Sequence, residues 1–204
     1  MTKLQRRVLD LSYKHGLTHI GSCLNVVDYI DHVYSIKEPD DIFILSNGHA
    51  GLALYVVLEE HGLANAEELI KKHGTHPNRD LPNGIFCSTG SLGSGLPIAV
   101  GMALSDKNRN VYVTISDGEC SEGSIWESLK IAADLRLENL RIACIENGYS
   151  AYGKVDSNVL NTRLKTFYPI LTINVDLFDF PDWAQGLNAH YHKLSKGDYE
   201  EAIQ

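Results

Sequence analysis

The chain has 204 residues, 44% hydrophobic and 22% charged, a balance that fits one globular domain and excludes disordered and fibrous classes. Eighteen basic residues against 26 acidic ones leave a net charge of −8, which counts against a general nucleic-acid binder. No apolar run approaches the roughly 20 residues of a membrane span. The four cysteines (Cys23, Cys87, Cys120, Cys144) contain no C-x-x-C pair, which excludes a zinc ribbon and leads us to expect a reducing, cytoplasmic setting.

In chain order, residues 2–15 form a basic amphipathic pattern with Leu4, Val8 and Leu11 on one helical face, without the apolar core of a signal peptide. A glycine-punctuated loop and a helix over residues 24–34 follow. Ile42–Leu45 is a short apolar run of strand type. Residues 51–62 read as a buried helix, with Ser46 or Asn47 as cap and Gly62 as stop. Another helix is predicted over residues 66–72. A polar loop over 74–84 then leads into Ile85–Cys87, read as a strand, and a further helix starts near Leu96.

Residues 111–115 read as a strand and 124–136 as a helix striped by Ile125, Leu129, Ala132 and Leu135. Residues 140–145 are the next strand. Strand, helix, strand in this span makes a βαβ unit, so the two strands run parallel. The whole chain, residues 1–204, is predicted to be a single α/β domain with a mostly parallel sheet flanked by helices on both faces. Beyond Ser157 the pattern gives no clear elements.

Open parallel sheets bind ligands outside the carboxyl ends of their strands. Asp117 directly follows one strand of the βαβ unit and Asn147 the other, so both are expected at the same crevice. A carboxylate and an amide oxygen suit magnesium, which takes oxygen ligands and keeps phosphate oxygens and water in its shell. Gly118, between Asp117 and Glu119, would let backbone approach a diphosphate. Asp-Gly is also an ordinary turn signal, and spacing alone leaves both readings open.

The run Thr89-Gly90-Ser91-Leu92-Gly93-Ser94-Gly95 has its glycines in the order G-x-x-G-x-G, neither a dinucleotide fingerprint nor a P-loop. It suits either backbone approach to a ligand or tight strand–helix packing. Among nine histidines, His61 sits at a helix end, and His32, His190 and His192 have no informative neighbours. His19, His49 and His76 fall in loops or at a helix start, where His49 would reinforce an anion site. Glu122 opens the helix after Asp117, a favourable place for an acid. Cys120 has no base in view and is read as packing.

In order and spacing, HIGSCLNVVDYI, DDIFILSNGHAGLALYVVLEEHG, THPN, STGSLGSGLPIAVGMAL and SDGECSEGSIWESLKIAADLRLENLRIACIENG resemble the thiamine-diphosphate-binding N-terminal region of transketolase, and especially the short N-terminal subunits of split transketolases. They run from about Leu17 to Gly153. The resemblance implies thiamine diphosphate as cofactor with magnesium, calcium being able to substitute, held by Asp117, Asn147 and the Tyr149 carbonyl. It implies cofactor contacts at His49, Gly90, Ser91, Leu92, Gly118 and Glu119. It implies catalytic roles for His19, His49 and His76 on the reacting sugar and for Glu122 at a subunit interface.

The activity so implied is transfer of a two-carbon ketol unit between sugars or sugar phosphates. A separate C-terminal transketolase subunit would complete each site, giving a two-plus-two heterotetramer that is inactive without its partner. Other thiamine-diphosphate subunits, deoxyxylulose-phosphate-synthase-like or 2-oxo-acid-decarboxylating, and a non-catalytic or regulatory paralogue are the alternatives. The chain departs from the family pattern at Ser116 before Asp117, at Gly148, at Thr18 before His19, and at Lys196-Gly197-Asp198, which matches a Gly-His-Asp segment without its histidine.

Overall fold

The strands are, in chain order, Ile42–Leu45 (β1), Val111–Ser116 (β2), Leu140–Glu146 (β3), the short pair Tyr149–Ser150 (β4) and Gly153–Lys154 (β5), and Leu171–Asn174 (β6). The structure is a computed structural model and describes residues 1–150, 153–174 and 180–204. β1, β2, β3 and β6 lie side by side in that order, all parallel, while β4 and β5 pair antiparallel. In the central pair, Val111 to Ser116 face Leu140 to Ile145 without a bulge.

The helices are Lys3–His15 (α1), Ile20–Ile36 (α2), Gly51–Glu60 (α3), Ala66–His73 (α4), Gly95–Ser105 (α5), Gly123–Asp134 (α6), Ser157–Phe167 (α7) and Lys196–Ala202 (α8). Strand side chains alternate between two cores. Phe43, Leu45, Ala143 and Ile145 join residues of α1 to α4, whereas Ile42, Ile44, Val111, Val113, Ile115, Leu140, Ile142 and Cys144 join those of α5 to α7. Both faces are therefore covered, which is why β1 and β3 read as nearly unbroken apolar runs rather than alternating ones. The expected α/β class, with a parallel sheet between helical layers, is what forms.

Local signals fix several ends. Thr2 and Gln5 form a capping box at the start of α1, and Gly16 closes it in the left-handed region at φ 61°. α8 carries its own capping box at Ser195 and lies on α1, where the Tyr199 and Tyr13 rings stack 4.7 Å apart and the Tyr199 hydroxyl donates to Asp10.

Other boundaries differ from expectation. α2 begins at Ile20, four residues before Leu24, because burial of Ile20, Gly21 and Cys23 overrides the loop signal of Gly21-Ser22. Neither Ser46 nor Asn47 caps α3: a single 3-10 turn over Gly48–Ala50 intervenes, and the Asn47 amide oxygen instead accepts from the Thr114 hydroxyl. Ile85–Cys87 is no strand of the sheet, since Ile85 only bridges Asp80. α6 stops at Asp134, two residues short of Arg136, which turns to φ 49°. The region without clear elements holds α7, β6 and α8.

Candidate active site

A cavity of about 630 Å³ opens at the carboxyl ends of the parallel strands. Asn47 and His49 reach it from beyond β1, Ser116, Asp117 and Gly118 from β2, Ile145 and Asn147 from β3, and Asn174 from β6. The start of α2, the loops carrying His76, Gly90 and Leu92, and the returning segment 184–191 complete its walls. The crevice expected from Asp117 and Asn147 is thus present, and both residues line it.

One wall is rich in oxygen. Asp117 is 3% exposed; its Oδ1 accepts from the Gly118 N–H at 3.0 Å, and its Oδ2 accepts from Asn147 at 3.0 Å and Gly148 at 2.8 Å. Burial pushes its pKa up to about 6 against the pull of those N–H groups. Oδ1 accepts only one bond and keeps acceptor capacity. The Asn147 Oδ1 accepts from the Tyr149 N–H at 3.0 Å, and a Cβ built on Gly118 would lie 3.7 Å from the Tyr149 carbonyl oxygen. Asp117, Asn147 and Tyr149 therefore share one side of the cavity. Among the described residues no cluster of three or more His, Cys, Asp or Glu is arranged around a metal ion. The donors here are instead one carboxylate, one amide and one carbonyl.

Gly118 fits a cradle. Its φ is −61°, open to any residue, and none of the described residues lies closer than 3.5 Å to a Cβ placed there. The fold does not require a glycine at this position, but an added methyl would stand at the cavity wall. Gly90 is different: its φ of 144° and a Cβ position 2.9 Å from the His76 ring make glycine a requirement of the loop itself.

The other wall is imidazole. The His19 ring lies 5.3 Å from His49, 6.2 Å from His76 and 4.3 Å from His190, centroid to centroid. Burial and then the neighbouring imidazoles lower the pKa of His49 to about 3 and that of His19 to about 4, and burial lowers that of His190. His19 and His49 are therefore neutral at pH 7 and offer one donor and one acceptor nitrogen each. Their positions are set by backbone: His19 caps α2 at φ 60°, and its N–H donates to the His190 carbonyl.

Of the expected site residues, His19, His49, His76, Gly90, Leu92, Asp117, Gly118, Asn147 and Tyr149 line the cavity. Ser91, Glu119 and Glu122 do not. Ser91 is exposed, and its carbonyl accepts from Ser94. Glu119 is fully buried: its Oε1 accepts from the Ser46 hydroxyl at 2.8 Å and the Gly93 N–H at 2.9 Å, and its Oε2 from the Ser116 N–H. Burial raises its pKa to about 7. Glu122 stands at the head of α6 without a capping bond, beside Gly93.

His190 was not legible as a site residue, having only a nearby His192 as a signal. The Lys196-Gly197-Asp198 segment forms the first turn of α8, where Asp198 pairs with His192 at 3.0 Å and closes the capping box. The absence of a histidine there takes none from the cavity, whose fourth imidazole is His190.

An open parallel sheet whose strand ends set oxygen donors against a cluster of histidines defines an α/β ligand-binding domain with its site at the sheet's carboxyl edge. The family model described as transketolase, thiamine diphosphate binding domain, matches residues 36–170, and the chain belongs to that family. It is 37% identical over 158 residues to one of the subunits of an apulose-4-phosphate transketolase from Phocaeicola vulgatus, covering 68% of this chain and 56% of that protein. It is 33% identical to a 6-deoxy-6-sulfo-D-fructose transketolase subunit of a Clostridium species, covering 67% and 57%. Among solved structures, transketolase from Leishmania mexicana superposes with a TM-score of 0.69 at 19% identity, over 84% of this chain and 35% of that one, a likeness of fold. The chain spans about half the length of the curated relatives it matches first.

Proposed function

We propose that this chain is the cofactor-binding subunit of a split, thiamine-diphosphate-dependent, transketolase-like enzyme, and that a separate C-terminal subunit completes its site. The observation that carries the reading is the cavity in which an oxygen-donor wall faces a wall of four histidines. Two similar proteins are themselves named as transketolase subunits.

In this reading Asp117, Asn147 and the Tyr149 carbonyl hold a magnesium ion, whose hard-oxygen preference their chemistry matches. The Gly118 backbone and His49 hold the diphosphate, and Gly90 and Leu92 border the rest of the cofactor. When bound, thiamine diphosphate supplies the carbon nucleophile that carries a two-carbon ketol unit. His19, His76 and His190 orient sugar oxygens and exchange protons with them, each imidazole offering ring nitrogens that can donate or accept a hydrogen bond. Glu119 acts at one remove, fixing the Gly93 loop on which Gly90 and Leu92 sit. Glu122 is assigned to the contact with a neighbouring subunit in a two-plus-two assembly. The fourth imidazole in the cavity, His190, favours ketol transfer over a non-catalytic paralogue.

The test pairs the purified chain with a separate chain carrying a pyrimidine-binding α/β domain and follows ketol transfer from a ketose to an aldose with magnesium and thiamine diphosphate. Turnover is expected only from the mixture, and Asp117→Ala is expected to abolish magnesium-dependent cofactor binding by the complex. Robust turnover by the chain alone would refute the split-enzyme reading, and unchanged binding by the Asp117 variant would refute the metal assignment.

A further inference from the structure

His19, Ser22 and Asn25 follow one another at three-residue intervals at the start of α2, and all three line the cavity. Asn25 stands out among them. Its neighbours in sequence, Leu24, Val26 and Val27, are core residues with at most 1% exposure, and Asn25 itself is only 7% exposed. Among the described residues its Oδ1 has no hydrogen-bond partner, and neither has the Nδ1 of His19 on the same helix.

A buried amide without a partner is unfavourable. Native structures leave few such groups, and each asks for a reason. Neither the packing of α2 nor the roles proposed above gives Asn25 one. An amide offers a donor and an acceptor but no charge. A hydroxyl group needs that same pair, whereas a phosphate is matched by cations, and no Lys or Arg lines the cavity among the described residues.

We infer that Asn25 is a specificity-determining residue that hydrogen-bonds a hydroxyl group of the sugar held beside His19 and His190. The inference rests on the ketol-transfer reading and deepens it: the substrate presents a free hydroxyl, not a phosphate, to the first two turns of α2. Because the buried Oδ1 is left without a partner, replacing the amide is expected to separate specificity from stability.

The test uses Asn25→Ala and Asn25→Ser in the two-chain complex. Acceptors are compared in the series D-glyceraldehyde, lactaldehyde and propanal, and donors as a ketose against hydroxypyruvate. Thermal unfolding of each variant chain is measured in parallel. Asn25→Ala is expected to unfold no lower than the parent and to lose about tenfold in kcat/KM for the hydroxylated members of one series, the loss of one hydrogen bond. The least hydroxylated member of that series is expected to be unaffected, with Asn25→Ser in between. A lower unfolding temperature, an equal loss for every substrate, weakened cofactor binding, or no change in either series overturns the inference. If the parent complex moves no ketol unit, the functional reading fails and takes this inference with it; a working parent with an unaltered variant sinks the inference alone.

Discussion

The Glu119 carboxylate lies 2.9 Å from the amide nitrogen of Gly93, and through the same oxygen it accepts from the Ser46 hydroxyl at 2.8 Å. One buried side chain thereby joins the end of β1, the glycine-rich loop and, through Ser116, the end of β2. Removing it leaves three donors without an acceptor in the protein interior. Glu119→Ala is expected to destabilise the chain by about 3 kcal/mol in urea unfolding, the usual scale for stranded buried donors. Glu119→Gln keeps one accepting oxygen but turns an NH2 group toward the Ser116 N–H, so a smaller loss is expected. Cofactor affinity should fall with both, since Gly90 and Leu92 ride on the loop so released. Equal stability of parent and alanine variant would show that the carboxylate is not the fastener described.

Gly118 should show the opposite separation. Its backbone suits alanine, and the described residues leave room for a methyl group. Gly118→Ala is expected to hold or raise stability, by up to about 1 kcal/mol through the unfolded chain's lost freedom. Thiamine diphosphate binding by the complex, followed calorimetrically with magnesium present, should nonetheless weaken at least tenfold. Wild-type affinity in this variant would move the diphosphate away from the Asp117–Gly118 turn.

The histidine wall makes stability depend on pH in a definite sense. In the folded chain His49 and His19 titrate near 3 and 4, against 6.5 for an ordinary imidazole. Between these values the two imidazoles bind more protons in the unfolded chain than in the folded one, so their contribution to stability rises with pH across the window and levels off above it. Asp117 and Glu119, raised by burial to about 6 and about 7, act in the opposite sense over the same range, so the histidine contribution is read as the difference between the parent and a His49 variant when the urea midpoint is followed from pH 7 to 4.5. His49→Gln should flatten the dependence by on the order of 1 kcal/mol. Asp80, held near 2 by Lys72, Asn83 and His73, loses its contribution only below its ordinary 3.8 and so lies outside the window. A slope identical in parent and variant would mean that His49 is not buried as described.

Much of this was legible in the sequence because the chemistry sits where the pattern is strongest. β1, β2 and β3 are buried on both faces and read as apolar runs, and the placement of Asp117 and Asn147 follows from standing next after two adjacent parallel strands. His190 was not legible because it lies in irregular chain with no periodicity and meets His19 only through tertiary packing. Asn25 was hidden inside an apolar helix, where a single polar residue gives no spacing signal. Glu119 was legible as part of a motif, but the direction of its side chain, inward to Ser46 and Gly93, depends on contacts between segments far apart in the chain. The same holds for α2, whose first turn looks like loop until Ile20 and Cys23 are seen to be covered.

The unbroken pairing of β2 with β3 has one more consequence. Neighbouring strands keep a nearly fixed separation, about 4.8 Å, so the spacing between Asp117 and Asn147 is inherited from the hydrophobic interior rather than set by loops. The opposite side of the cavity is built from connecting segments: the turn bearing His76, the glycine-rich run, and residues 184–191. A lineage of such proteins can rewrite that far side while the end set by the paired strands stays constant. The two ends of the cavity are then free to diverge at different rates.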